Sequence, residues 1–201
     1  GNLIILVNDN QMSIAENHGG LYRNLAELRA TNGQAENNFF KTFGLDYKYL
    51  ANGNDIESLI HLFEEVKDID HPIVLHIHTE KGRGYQPALE NKEAFHWHMP
   101  FDLETGQSKV IDSGKSYSSV MLDYMDKKVS EGLPLVAINA AIPGIFGLKQ
   151  FAAKYPDRYI DAGIAEQFTI TFGGAMAAAG ARPIIFHNST FVQRAYDQFW
   201  H

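Results

Sequence analysis

The chain has no cysteine. That excludes a disulfide scaffold, a thiolate metal site and a thiol nucleophile, and it agrees with a cytoplasmic setting. No apolar run reaches the roughly 18 residues that a membrane-spanning helix needs, so no membrane partner is expected. The first residues lack the basic, apolar and small-residue order of a signal peptide, and none is expected. Positive charge is scarce as well: 17 Lys and Arg stand against 24 Asp and Glu, a formal net charge of −7. Lys127-Lys128 is the densest basic pair, and acidic residues lie close by. Such a surface repels nucleic acid and anionic lipid, so no nucleic-acid partner is expected. Core material is plentiful. Of 201 residues, 45% are apolar and 12% aromatic, a globular balance that suits one large domain or two small ones.

Leu3-Ile4-Ile5-Leu6-Val7 reads as a buried parallel strand that begins almost at the first residue. The last residues, Trp200-His201, fall inside a helical pattern. Domains rarely start on a central strand and stop mid-helix, so the chain is expected to be an internal piece of a longer one, inactive alone. A polar loop is expected from Asn8 to Gly20, then helices over 21–30 and 35–43, a strand over 46–51, a helix over 56–66 and a buried strand over 73–78. Residues 79–115 carry scattered Gly and Pro with little periodicity and read as a linker. A second alternating unit follows: helices over 116–130, 145–154 and 165–179, strands over 135–139, 158–161 and 182–187, and a last helix from about Thr190. Alternation of this kind predicts an α/β fold with parallel sheets, which bind ligands at the carboxyl ends of their strands.

Several clusters invite chemistry, each with a plain alternative. The oxygen-rich loop Asn8-Asp9-Asn10-Gln11-Met12-Ser13 suits a hard divalent cation, yet such loops also serve as turns. Glu166, in Ile164-Ala165-Glu166-Gln167, stands where a helix dipole favours any carboxylate. Arg194 near a helix start can hold a phosphate or pair with Asp197. Lys81-Gly82-Arg83-Gly84-Tyr85 resembles a phosphate cradle in composition only. The pairs His76/His78 and His96/His98 suggest zinc, but without Cys or a well-spaced carboxylate, satisfied core or interface histidines are the better reading.

Taken in order, these segments resemble the 1-deoxy-D-xylulose-5-phosphate synthase family of transketolase-like thiamine-diphosphate enzymes. Ile5 to Asn10 with Met12-Ser13-Ile14 is similar to its diphosphate-and-metal segment. Lys81-Gly82-Arg83-Gly84-Tyr85, Pro87-Ala88 and Phe95-His96 resemble its inter-domain linker. Pro156 to Tyr159, Ile164 to Gln167, Ser189-Thr190-Phe191 and Gln193 to Gln198 resemble its pyrimidine-domain signatures.

The resemblance implies two incomplete thiamine-diphosphate-binding domains, a diphosphate-type part over 1–78 and a pyrimidine-type part over 116–201, joined by the linker over 79–115. It implies a transferase that condenses pyruvate, or another 2-oxo acid, with the aldehyde phosphate glyceraldehyde 3-phosphate and releases CO₂, feeding isoprenoid (terpenoid) and thiamine synthesis. Its cofactors would be thiamine diphosphate and Mg²⁺, its assembly a homodimer. Asn10 and the carbonyl of Met12 would hold the metal and the diphosphate, with Lys81 at the cofactor. Glu166 would hydrogen-bond the aminopyrimidine, His96 would sit near substrate, and Arg194 would grip the substrate phosphate. The chain also departs from the family at Phe168, Asn188, Ala140-Ala141 and Asn52-Gly53-Asn54-Asp55. These changes alter polar groups around donor and acceptor, and they keep open transketolase-like ketol transfer and a non-catalytic relative.

Overall fold

The computed structural model describes residues 2–110 and 114–201. They form two compact units, one built from residues 2–12 and 16–110, the other from 13–15 and 114–201. Each has a three-stranded, wholly parallel sheet with helices, so the fold is α/β.

In the first unit β1 (Ile4–Asp9), β2 (Asp46–Leu50) and β3 (Ile73–His78) lie in the order β1-β3-β2. β3 is central, and Ile73 to Ile77 are all buried. Its alternate residues serve two cores, as the strand period of two requires. Ile73, Leu75 and Ile77 meet Leu62 and Val66 of α3 (Ile56–Val66). Val74 meets Leu25 and Leu28 of α1 (Gly20–Ala30) and Phe40 of α2 (Phe39–Thr42). β1 runs two residues further than expected, so Asn8 and Asp9 belong to the strand and only Asn10 opens the loop.

Two helices differ from their expected form. The segment expected as a helix over 35–43 is helical only from Phe39, because Asn38 Oδ1 accepts from the backbone of Phe40 and Lys41 and sets the start there. α3 buries Leu62 and Val66 while Ile56, Ile60 and Phe63 stay exposed. The helix is apolar over a wider arc than the sheet covers.

The stretch from Thr79 is not featureless. It carries α4 (Gln86–Glu90) and a 3₁₀ turn, Ala94–His96. Phe95 packs edge-on against Tyr85 and Phe101 at 5.5 and 5.2 Å between ring centroids, and the Tyr85 hydroxyl donates to the Leu103 carbonyl at 3.0 Å. Burying these rings compensates for the sparse regular structure.

In the second unit β4 (Leu135–Asn139), β5 (Tyr159–Asp161) and β6 (Arg182–Phe186) lie in the order β5-β4-β6, with β4 buried along its length. α5 (Tyr117–Ser130) starts on a reciprocal Ser116/Ser119 capping box. Its Met125 joins Leu148 and Phe151 of α6 (Leu148–Lys154), Ala137 and Phe186 in one core. α7 (Glu166–Ala178) crosses the opposite face, close enough that a Cβ on Gly173 would stand 2.7 Å from Ile185 Cδ1. The final helix is shorter than expected. α8 (Ser189–Val192) gives way to 3₁₀ turns at Gln193–Ala195 and Asp197–Phe199.

Candidate functional site

The carboxyl end of the first sheet is organised by Asp9, which is 6% exposed. Its Oδ1 accepts from the Gln11 backbone at 3.0 Å. Its Oδ2 accepts from Arg29 and, at 2.8 Å, from His76 Nε2. His76 is wholly buried, and its Nδ1 lies 2.7 Å from the Tyr47 hydroxyl. One polar chain thus links β1, β3 and β2 beneath the loop. Burial alone would raise the Asp9 carboxyl, but hydrogen bonds from His76, Arg29 and the Gln11 backbone outweigh it and hold it down at about 2. His76 is therefore a satisfied core histidine, separated in role from His78, which faces the cleft above.

Above Asp9 the chain turns sharply. Asn10 Oδ1 accepts from the Met12 backbone at 3.1 Å, and Gln11 takes a left-handed φ of 70°. A cleft of about 300 Å³ opens where the three strands end, lined by Asn10, Asn52, Asn54, His78, Arg83 and Lys92 among others. A larger cleft, about 740 Å³, runs along β2 and contains none of the residues singled out from the sequence. Among the described residues no group of three His, Cys, Asp or Glu side chains could hold a metal. The donors at Asn10 and Met12 are neutral oxygens, and an amide oxygen that accepts one bond keeps a second lone pair. They fit a hard cation whose remaining ligands are phosphate and water.

Lys81 and His96 come together, with Nζ 3.2 Å from Nδ1. Burial lowers the Lys81 ammonium. The two lie 15 residues apart, and the folded stretch between Thr79 and Phe101 joins them.

In the second unit Glu166 occupies the first turn of α7 and is 3% exposed. Arg194 NH1 donates to its Oε2 at 2.8 Å, so the two residues singled out for cofactor and phosphate form an ion pair. Arg194 remains half-exposed and has further N–H groups to offer. Asp161, at the end of β5, accepts from the backbone of Ala141 and Gly163 at 2.9 Å each. It holds Ala141 at a φ of 64°, so the Ala140-Ala141 departure lies in a buried, constrained turn. Phe168 is half-exposed and stacks on Phe172 at 5.1 Å.

Sequence reasoning missed three residues here. Thr169 is fully buried; its hydroxyl donates to the Glu166 carbonyl at 2.7 Å and lies 2.8 Å from His187 Nε2. His187 follows β6, and burial lowers its pKa. Asn139, wholly buried at the end of β4, leaves Oδ1 without a partner among the described residues. For Asn139 and His187, position at or just beyond a strand end was the available signal.

Two family models divide the chain. The model described as 1-deoxy-D-xylulose-5-phosphate synthase matches residues 1–38 and 29–79, and that of the transketolase pyrimidine-binding domain matches 113–201. Curated relatives match across both. A 1-deoxy-D-xylulose-5-phosphate synthase of Geobacter sulfurreducens is 36% identical over 100% of this chain and 37% of its own length. That of Listeria monocytogenes is 38% identical over 99% and 34%, and that of Clostridium perfringens 36% identical over 100% and 38%. The chain belongs to the 1-deoxy-D-xylulose-5-phosphate synthase family. It spans a little over a third of the length of these synthases. Within the synthase match lie Asp9, Asn10 and Met12; within the pyrimidine-domain match lie Glu166, Arg194 and His187. No helix among the described residues is long and apolar enough to cross a membrane.

Proposed function

We propose that this protein is a thiamine-diphosphate-dependent transferase that condenses pyruvate with glyceraldehyde 3-phosphate and releases CO₂. Family membership supports this reading. The observation that carries it is Glu166, a buried carboxylate in the first turn of α7, at the ligand-binding end of a parallel sheet. We read residues 1–78 and 116–201 as parts of a diphosphate-type and a pyrimidine-type domain, with 79–115 as their linker, and the working assembly as a homodimer.

Thiamine diphosphate, when bound, supplies an electron sink for a carbanion. The protein's part is to bind and orient. Glu166 hydrogen-bonds the aminopyrimidine. Asn10 and the Met12 carbonyl hold Mg²⁺ on the diphosphate, in the turn that Asp9 stabilises. Lys81 would hold the cofactor and His96 would meet substrate, and the two side chains touch each other. Arg194 holds the acceptor phosphate with those N–H groups not given to Glu166, a geometry that suits a guanidinium fork.

The departures at Phe168, Asn188 and Ala140-Ala141 favour a second reading in one respect. A half-exposed phenylalanine replaces a polar group, which would suit a relative with a different donor, as in ketol transfer without CO₂, or with no reaction. Calorimetric titration of the full-length protein with thiamine diphosphate in Mg²⁺ separates these. Binding that Glu166→Ala weakens supports the proposal; no binding favours the non-catalytic relative.

A further inference from the structure

Beside Glu166 stands a histidine with a definable proton. The Thr169 hydroxyl lies 2.7 Å from the Glu166 carbonyl and 2.8 Å from His187 Nε2. A carbonyl cannot donate, so the single hydroxyl proton must point at it. The Thr169 oxygen is then an acceptor toward His187, and Nε2 must carry the hydrogen. The other ring nitrogen, Nδ1, is buried and has no partner among the described residues. A proton there would be a buried donor without an acceptor, which is unfavourable. Burial lowers the His187 pKa in the same sense, and Glu166 opposes it.

We propose that His187 is a positioning residue for Glu166, acting as the neutral Nε2–H tautomer through the Thr169 hydroxyl. The relay fastens the end of β6 to the first turn of α7. The Glu166 carbonyl it reaches belongs to the residue whose carboxylate meets Arg194 at 2.8 Å. The hydroxyl also sits in the turn where the Thr169 amide bonds the Ala165 carbonyl at 3.1 Å, so helix start and carboxylate are fixed together. Neither the tautomer nor the relay depends on the cofactor reading.

The test is nitrogen NMR on the full chain, labelled at histidine, with no cofactor added. The His187 spectrum at neutral pH is expected to show a protonated Nε2 and a bare Nδ1. The opposite tautomer, or an imidazolium, overturns the proposal. In Thr169→Val, where Nε2 loses its acceptor, the preference is expected to give way to a mixture; unchanged Nε2 protonation overturns the relay. Hydrogen exchange gives a second readout. His187→Gln, which can place an amide N–H near the Nε2 position, is expected to keep Thr169 amide exchange within about two-fold of the parent. His187→Phe is expected to speed it about five-fold, the effect of losing one hydrogen bond, while exchange in β4 stays unchanged. Equal exchange in the two variants overturns the positioning role. Since no cofactor is present, failure of the functional proposal leaves each outcome readable.

Discussion

At the scale of single residues, two carboxylates and a histidine are distinguished by their surroundings. Glu166 is buried, but its Arg194 partner is half-exposed and can be solvated when the pair is broken. Glu166→Ala is therefore expected to leave the fold intact, at a cost of about 1 kcal/mol from the lost dipole and ion-pair interaction, while turnover by the full-length protein disappears. Circular dichroism and an activity assay check the two halves, and retained turnover removes Glu166 from its role. Asp9 is different, since its partners Arg29 and His76 are themselves largely or wholly buried. Asp9→Asn is expected to cost about 3 kcal/mol in denaturant unfolding, the scale of breaking a buried pair. Because the folded carboxyl is depressed to about 2, its stabilisation is present above the ordinary aspartate range and is lost as pH falls through that range toward 2. His71 behaves oppositely. Bonds to Asp70 at 2.9 Å and Asp46 at 2.6 Å raise its pKa despite some burial. Its contribution is full below the ordinary histidine range and fades as pH rises through the raised value. The thermal midpoint of the parent should exceed that of His71→Gln near about pH 6, and the gap should close by about pH 9. A gap that widens with pH would contradict the assignment.

At the scale of elements, strands were legible because buried parallel strands leave continuous apolar runs, as at Ile73 to Leu75 and Leu135 to Ile138. Helix ends were less so. Asn38 caps the helix so that it starts at Phe39, and the Gln193 to Gln198 signature folds as 3₁₀ turns rather than a continuous helix. In the site, residue types could be read from motifs, but partners could not. The Lys81–His96 contact spans 15 residues and the Glu166–Arg194 contact 28, distances that only the folded chain closes. His187 escaped notice because a lone histidine after a strand carries no spacing pattern. The turn after β2 is an element with a sharp requirement. A Cβ on Gly53 would lie 2.6 Å from the His78 carbonyl and 2.1 Å from Ile77 Cγ2, while its N–H bonds that carbonyl at 2.9 Å. Gly53→Ala is expected to cost about 2–3 kcal/mol through backbone displacement, the range of overpacking. It should also loosen the cleft that Asn52 and Asn54 line. Unchanged stability in urea would mean that the turn yields freely.

At the scale of the molecule, each unit is a short parallel sheet whose ligand-binding end carries its polar groups. Asp9 and Asn10 sit at one, Asp161 and Glu166 at the other. The synthase family model covers the first of these ends and the transketolase pyrimidine-binding model the second, and Glu166 joins sequence, fold and proposed chemistry. Among the described residues both sheets have open edge strands, and apolar side chains such as Leu6 and Ile60 are exposed. The most direct test of the proposed activity is CO₂ release from pyruvate by the full-length protein with thiamine diphosphate and Mg²⁺, measured with and without glyceraldehyde 3-phosphate. Release that depends on the aldehyde phosphate is the predicted result. No release from pyruvate, with the cofactor bound, would contradict it.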